Sequence, residues 1–220
     1  MKFGQAFGYI FKDPDWFKKL VIPALCGLIP VIGPFIMAGY AFKVTKMLIA
    51  GEGDTPLPSL EFGADLGKGF MITLINLIYA IPVLILGGIA SAIIGFGSGA
   101  DEVVMWILIV LGGCFGLIGL LLGLLILFIA PIAVANYAAK GEFKAAFAFK
   151  EIFALLKSSL TSWLLVLVGG LLAGFIAPIG SIACGVGAML TGLYAGMLNS
   201  HLIGQAYNVA KTPKQGELVL

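Results

Sequence analysis

Residues 103–139 read VVMWILIVLGGCFGLIGLLLGLLILFIAPIAVANYAA and contain no charged side chain. An α-helix rises ~1.5 Å per residue, so this stretch is long enough to cross a hydrocarbon core of ~30 Å. Three further apolar blocks lie at 17–50, 70–97 and 160–207. The 220 residues are 60% hydrophobic and only 11% charged, whereas soluble domains contain roughly 25% charged residues. The sequence therefore excludes an ordinary soluble domain and predicts a multi-pass membrane protein.

The predicted fold is all-α, a single membrane domain with six transmembrane helices in three hairpins. Breaks are expected at 29–33 and 177–180, because Pro cannot continue a helix and Gly permits a tight turn. The predicted spans are 16–31, 34–49, 69–97, 103–138, 158–177 and 180–207. The first block is short for two full crossings, so a single span or a re-entrant hairpin over 16–49 stays open as an alternative.

The distribution of lysine orients these spans. All 13 basic residues are lysines, and the six-span arrangement places every one of them on the same side as both termini. The opposite side carries only Asp101 and Glu102. Because cytoplasmic loops of membrane proteins are enriched in Lys and Arg, we expect both termini in the cytoplasm and the protein in the cell membrane. An arrangement of five spans would leave four lysines outside.

Segments 1–15 and 141–157 are predicted to be amphipathic interfacial helices on the cytoplasmic face, and 208–220 to be a cytoplasmic tail. Lysines beside an apolar stripe favour contact with anionic lipid headgroups. Asp13 and Pro14 predict a helix start, with Asp13 as the N-cap and Pro14 in the first turn. The alternative interpretation is a carboxylate pair, Asp13 and Asp15, that engages a partner.

The last predicted span carries a stripe of small residues at every fourth position. Its members are Gly180, Cys184, Ala188, Gly192, Gly196, Ser200 and Gly204. Small residues let helix backbones approach closely in lipid, where the hydrophobic effect does not drive helices together. The stripe predicts a helix-packing seam, either within the chain or with a second copy or a partner membrane protein.

Polar side chains within the predicted spans form the candidate intramembrane site. They are Asn76, Tyr79, Asn136, Tyr194, His201 and Gln205. Intramembrane polar groups often mark substrate or ion pathways, but neighbouring helices also use them as structural hydrogen bonds. His201, the only histidine in the sequence, therefore has two interpretations: a proton relay or ligand, and a structural hydrogen bond.

The sequence predicts no catalytic residues, no metal site and no cofactor. It contains neither a phosphate-binding glycine loop, nor an HExxH motif, nor a nucleophile elbow. The three cysteines lie far apart in apolar runs, which indicates small buried side chains rather than a metal cluster. The lysines do not form a soluble patch with aromatic residues, so no nucleic-acid partner is expected.

The sequence resembles a known family, the domain of unknown function 4013. The resemblance is carried by 11–19, 29–33, Gly39-Tyr40, Gly51-Glu52, Leu57-Pro58, Phe62-Gly63, Lys68-Gly69, Tyr79, Pro82 and 201–207. It implies a prokaryotic multi-pass membrane protein without an established activity. The chain departs from the family at Ser59-Leu60-Glu61, where an aromatic residue and acids are common.

The sequence leaves two functional classes open. The glycine seams, short loops and absence of catalytic motifs favour a non-enzymatic accessory or assembly subunit of a membrane complex. The Pro-interrupted spans and the three hairpins favour the alternative, a permease or a protein that handles lipids or small solutes. A polar cavity that joins Asn76, Tyr79, Asn136 and His201 would support the alternative.

Overall fold

A computed structural model of the protein describes residues 1–99 and 101–212, except for the side chains of 183 and 184. The described residues form helices and connecting segments without a strand, which confirms the all-α class. The α-helices are α1 (Gln5–Gly8), α2 (Trp16–Cys26), α3 (Gly33–Ala50), α4 (Phe62–Gly97), α5 (Glu102–Lys140), α6 (Phe149–Ser158), α7 (Leu160–Ile176) and α8 (Cys184–Lys211). Short 3-10 helices lie at Tyr9–Lys12, Phe143–Phe147 and Ala177–Ala183.

Three helical stretches of the described chain are long and apolar enough to cross a membrane. They are Phe62–Gly97, Glu102–Lys140 and Leu160–Ile182. The other two long helices are less apolar, because α3 carries Lys43 and Lys46 and α8 carries Asn199 and His201. The three apolar stretches are consistent with the predicted membrane protein.

The helix bounds differ from the predicted spans in the first apolar block and at the start of α4. α2 has 11 residues and ends at Cys26 instead of at residue 31. Its length of about 17 Å is roughly half of a hydrocarbon core. The chain then turns, and Gly27 is needed there because a Cβ would meet the sulfur of Met37 and the carbonyl oxygen of Ala24. α4 also differs from its predicted span, because it begins at Phe62 instead of at residue 69.

The chain forms two compact units. The first consists of Met1–Leu74 together with the described residues from Pro131 onward, and the second is Ile75–Ala130 except for residue 100. In the first unit, α3 and α8 run parallel with glycines at their contact. The facing pairs are Gly192 with Met37, Gly196 with Ala41, and Gly204 with Leu48. The Thr45 hydroxyl adds a hydrogen bond to the carbonyl oxygen of Ser200 (2.8 Å). These three seam glycines therefore pack within the chain.

α7 and α8 form an antiparallel hairpin. Gly169 on α7 faces Leu202 on α8. At the turn, the hydroxyl of Thr191 donates a hydrogen bond to the carbonyl oxygen of Ala177 (2.7 Å). Gly180 also lies in this turn, where a Cβ would meet the carbonyl group of Gly187. Of the remaining seam residues, Cys184 has its side chain outside the described part of the chain.

The backbones of α3 and the start of α4 approach each other at two glycines. A Cβ on Gly39 would collide with the carbonyl oxygen of Asp65, and a Cβ on Gly69 would collide with that of Phe35. Only glycine permits this approach, because each missing Cβ makes room for the other backbone. The contact fixes the start of α4 beside α3.

The second unit consists of the last part of α4 and the first part of α5. Gly112 packs against Ile94, and Gly119 packs against Leu86. Large apolar side chains on its surface, such as Leu84 and Phe96, are more than half exposed. Such a surface is suited to lipid rather than to water.

The predicted interfacial segments contain short helices. Segment 1–15 contains α1 and the 3-10 helix Tyr9–Lys12, and segment 141–157 contains the 3-10 helix Phe143–Phe147 and most of α6. One face of α6 is buried through Ile152 and Leu155. The predicted tail over 208–220 begins inside α8, which extends to Lys211, and 213–220 lie outside the described residues.

Candidate functional site

Several buried polar side chains of the first unit, among them Asp13, Lys43 and His201, contact residues 51–61, which connect α3 to α4. α3 ends where Gly51 adopts a left-handed conformation (φ 77°), which glycine tolerates without strain. The segment has no helix or strand before Phe62, yet Leu57 is buried in a cluster with Tyr9, Tyr40 and Met197. We call residues 51–61 the strap.

Asp13 holds the middle of the strap. Its carboxylate accepts hydrogen bonds from the backbone N–H of Leu57 (2.6 Å), the backbone N–H of Asp15 (2.8 Å) and the ammonium group of Lys19 (2.9 Å). Burial alone would raise the pKa of Asp13, but these three donors outweigh it and lower the pKa below its usual value. The predicted N-cap position is wrong by two residues: α2 begins at Trp16 after Asp15, and Asp13 and Pro14 precede the helix, because the Asp13 carboxylate holds the N–H of Asp15 and the strap instead.

The Tyr40 side chain is the second tether of the strap. Its hydroxyl group lies 2.6 Å from the carbonyl oxygen of Lys19 and 3.0 Å from that of Pro58. The hydroxyl has one proton, so the two carbonyl groups share it. Tyr40 is fully buried and joins α2, α3 and the strap at one point.

A buried ion pair holds the end of the strap. The ammonium group of Lys43 lies 2.7 Å from Oδ1 of Asp65, without the geometry of a directed hydrogen bond, and donates to the carbonyl oxygen of Ser59 (2.9 Å). The other oxygen of Asp65 accepts the backbone N–H of Glu61 (2.8 Å). Both charged groups are buried, and Asp65 has no exposed surface. Leaving either charge without its partner would cost several kcal/mol, roughly 3–5.

His201 on α8 holds the start of the strap and is also almost fully buried. Its Nε2 lies 3.4 Å from Oδ2 of Asp54, and its ring stacks on Tyr9 with centroids 4.2 Å apart. Oδ2 of Asp54 also accepts a hydrogen bond from the side-chain amide of Gln5 (2.6 Å). The strap is thereby connected to α8 and to α1.

The hydrogen bonds of Gln205 determine which ring nitrogen of His201 carries the proton. The side-chain oxygen of Gln205 accepts the backbone N–H of Lys2 (2.7 Å), so its NH₂ group faces Nδ1 of His201 at 2.9 Å. An NH₂ group can only donate, hence Nδ1 of the neutral ring accepts and Nε2 carries the proton toward Asp54. Both ring nitrogens of His201 are therefore engaged within the chain.

A cavity of about 320 Å³ lies beside this histidine. Its polar lining comes from Lys2, Gln5, Asp54, His201, Gln205 and Asn208. Asn208 uses its side-chain NH₂ group to donate a hydrogen bond to the carbonyl oxygen of Leu48 (2.7 Å). The cavity is large enough for a small polar solute, although several of its polar groups already have partners.

The four predicted site residues that lie in the first unit, Asn136, Tyr194, His201 and Gln205, have separate sets of hydrogen-bond partners, except that His201 contacts Gln205. Within the first unit, His201 contacts Gln205, while the hydroxyl of Tyr194 donates a hydrogen bond to the carbonyl oxygen of Phe7 (2.7 Å). Asn136 has a separate set of partners, described below, and Asn76 and Tyr79 belong to the second unit. On α8, the side-chain oxygen of Asn199 is buried without a hydrogen-bond partner among the described residues.

Asn136 belongs to a polar cluster at the end of α5. Its NH₂ group donates hydrogen bonds to the carbonyl oxygen of Ala145 (2.8 Å) and to the carboxylate of Glu151 (2.9 Å). The ammonium group of Lys140 lies 2.6 Å from both oxygens of Glu151. The hydrogen bonds from Lys140 and Asn136 lower the pKa of Glu151. This cluster connects α5 to α6.

The sequence interpretation missed Asp54, Asp65 and Lys43 as site residues. The lysine distribution places Lys43 among the cytoplasmic lysines, although its position between Phe42 and Val44 in an apolar helix also indicates a buried ion pair. Among the described residues, no group of three or more His, Cys, Asp or Glu side chains is arranged to hold a metal ion. The described arrangement can order the strap and line a small open cleft.

The sequence matches the family described as Protein of unknown function (DUF4013) over residues 22–186. The matched range includes Tyr40, the strap and Asp65, whereas Asp13 and His201 lie outside it. No curated protein and no solved structure matches the sequence. Because the match covers more than half of the chain, this protein belongs to the DUF4013 family.

Proposed function

We propose that this protein is a non-enzymatic accessory or assembly subunit of a membrane complex. The observation that carries the proposal is the state of His201. Because Gln205 and Asp54 engage its two ring nitrogens, neither nitrogen is available to a substrate without breaking the attachment of the strap. The hydroxyl groups of Tyr40, Thr45 and other buried residues likewise donate to backbone carbonyl groups of the same chain. This use of polar side chains supports a structural role.

The test is purification of the affinity-tagged full chain from its native membranes in a mild detergent. We expect a partner membrane protein to co-purify in a constant molar ratio, as measured by quantitative mass spectrometry. A monodisperse protein without a stoichiometric partner, from membranes solubilised in several detergents, would contradict the proposal.

The proposed topology has six spans with both termini in the cytoplasm. All lysines then lie on one side, and the parallel packing of α3 and α8 agrees with two helices that both return to the cytoplasm. Reporter fusions at 53, 100 and 141 test this topology. We expect a fluorescent cytoplasmic reporter at 53 and 141 and an active alkaline phosphatase at 100. Phosphatase activity at 53 would exclude the arrangement.

The cavity beside His201 favours the second candidate function, a permease or a protein that handles small solutes or lipids. The variant His201→Phe keeps an aromatic ring against Tyr9 but removes both hydrogen bonds of the imidazole. A transport function would be lost in this variant at normal protein levels, whereas an accessory subunit would still co-purify with its partner. Complementation of a deletion strain, together with quantification of the variant in membranes, distinguishes the two functions.

A further inference from the structure

α6 lies between two of the apolar stretches that are long enough to cross a membrane. Residues 141–148 separate it from Glu102–Lys140, and Ser159 alone separates it from α7, which begins the stretch Leu160–Ile182. Ser159 is not helical (φ −151°, ψ 66°), so the chain bends between α6 and α7. With 10 residues, α6 is about 15 Å long and too short to cross a membrane itself. In the proposed topology α6 therefore lies at the membrane surface.

One side of α6 is fixed against the rest of the first unit. Its buried residues are Ile152 and Leu155. The carbonyl oxygen of Leu155 accepts a hydrogen bond from the indole N–H of the buried Trp163 on α7 (2.9 Å). Near the start of the helix, Glu151 accepts hydrogen bonds from two side chains of α5. Because α6 is attached to both neighbouring helices, its rotation about its own axis is fixed.

The opposite side of α6 is exposed and carries two lysines. Lys150 and Lys157 are seven residues apart, which is two helical turns, so they project from the same side. Phe149 and Phe153 flank them on one edge and are 51% and 40% exposed. The other edge, at Ala154, borders a cleft that α6 shares with the end of α8. We call the two phenylalanines and the two lysines the outer face of α6.

The outer face carries a local excess of positive charge. Residues 140–158 contain four lysines and two glutamates. Both glutamates are paired with the lysines outside the outer face, Glu151 with Lys140 (2.6 Å) and Glu142 with Lys144 (3.1 Å). The two lysines of the outer face have no carboxylate within 4.0 Å in the part of the chain that the structure describes. Two positive charges are therefore left beside an exposed aromatic edge.

We propose that the outer face of α6 lies in the headgroup region of an anionic membrane leaflet. The phenylalanine edge inserts toward the acyl chains, where exposed aromatic surface is removed from water. Lys150 and Lys157 lie about 10 Å apart along the helix axis, so each contacts the phosphate of a different lipid. The inference rests on the proposed topology, which places α6 at the anionic cytoplasmic leaflet, and it does not depend on the proposed subunit role.

Fluorescence quenching of the full chain in bilayers tests the insertion. In a chain whose three cysteines are replaced by alanine, Phe153→Cys and Ala154→Cys each attach one fluorescent label at adjacent positions of α6. The bilayers contain equal amounts of phosphatidylcholine and phosphatidylglycerol. We expect acyl-chain nitroxides to quench the label at position 153 more strongly, and the water-soluble quencher acrylamide to quench the label at position 154 more strongly. Equal access of acrylamide to both labels would overturn the proposal.

The charge of the outer face is tested with the label at position 153 and two nitroxide lipids, phosphatidylglycerol and phosphatidylcholine. We expect stronger quenching by phosphatidylglycerol, because it is enriched beside the lysines. The double variant Lys150→Gln/Lys157→Gln should lower this preference several-fold, since one lysine near an anionic surface contributes roughly fivefold. The matched control Lys150→Arg/Lys157→Arg keeps both charges and should keep the preference. Equal quenching by the two lipids in the chain with both lysines, or an unchanged preference in the glutamine variant, would refute the charge assignment.

Elution volume and thermal unfolding show whether each labelled variant is folded. The lipid experiments use the isolated chain, so their outcome is separate from that of co-purification. If a partner co-purifies but the label at position 153 is open to water, only this inference fails. If the label is inserted and no partner co-purifies, only the proposed subunit role fails.

Discussion

The two units of the molecule are stabilised in different ways. In the first unit, Asp13, Lys43, Asp65 and His201 are almost fully buried, and each has a polar or charged partner. In the second unit, glycines contact apolar side chains, for example Gly112 with Ile94. Its described charged residues, Asp101 and Glu102, are exposed.

The difference shows what each type of contact specifies. The strap has no regular backbone hydrogen bonds to define its path, so directed bonds to buried side chains must define it. The two helices of the second unit satisfy most of their backbone groups internally, and the exposed apolar surface of the unit suits lipid. Close packing at small residues is then the remaining source of specificity.

The largest expected effect is that of Asp65→Asn in the first unit. The substitution leaves the buried ammonium group of Lys43 without its nearest carboxylate, and we expect a loss of roughly 3–5 kcal/mol in the free energy of unfolding. The unfolding midpoint in detergent measures this loss. Glu151→Gln is the control, because the Lys140–Glu151 pair is exposed and should contribute little. An unchanged midpoint in Asp65→Asn would show that the first unit does not depend on this ion pair.

Gly39→Ala tests the close backbone contact in the first unit. The new Cβ would collide with the carbonyl oxygen of Asp65, which cannot move away without separating α3 from α4. We expect a loss of about 3 kcal/mol, at the upper end for overpacking. Gly87→Ala in the second unit is the matched control, because nothing lies within 4 Å of its added Cβ. Equal unfolding midpoints of the two variants would contradict the assigned packing.

Asp13→Asn tests the tether at the middle of the strap, with an expected loss of about 2 kcal/mol at pH 7. The pKa of Asp13 is lower in the folded chain than its unfolded value of about 3.9. Its contribution to stability is therefore complete above that value, and it is lost as the pH falls through the lower, folded pKa. Unfolding midpoints between pH 3 and 7 should converge for wild type and variant at the acidic end. A constant difference across this range would disprove the linkage.

Two adjacent glycines of the second unit provide the test with the smallest expected effect on stability. A Cβ at Gly112 would lie 2.6 Å from the side chain of Ile94, whereas a Cβ at Gly113 has no neighbour within 4 Å. Gly113→Ala should stabilise the helix by up to about 1 kcal/mol through its higher helix propensity, and Gly112→Ala should be less stable than Gly113→Ala. The order of the two unfolding midpoints decides the prediction. The reverse order would mean that the two helices pack on another face.

The helical class and the general positions of the long helices could be predicted from composition and from Pro and Gly breaks. These signals are local, since a helix repeats its pattern over neighbouring residues. The early end of α2 at Cys26 was not predictable in this way, because it depends on the fit of Gly27 against Met37 of the next helix.

The strap is the part of the candidate site that the sequence did not reveal. Asp13 and Leu57 are 44 positions apart, and Asp54 and His201 are 147 positions apart. Neither pair has a periodic pattern that connects its members. The sequence shows that the polar residues of α8 lie on one face of the helix. Their separate partners on α1 and the strap follow only from the tertiary structure.

The parallel contact between α3 and α8 has a consequence for biosynthesis. Thr45 and its partner Ser200 are 155 positions apart, so at 5–20 residues per second α3 leaves the ribosome on the order of ten to thirty seconds before α8. During this interval the glycine face of α8 does not yet exist, and Met37, Ala41 and Leu48 have no permanent neighbour on that side. The α3–α8 contact therefore forms late, and a chain that is cut before α8 leaves this face of α3 without its neighbour.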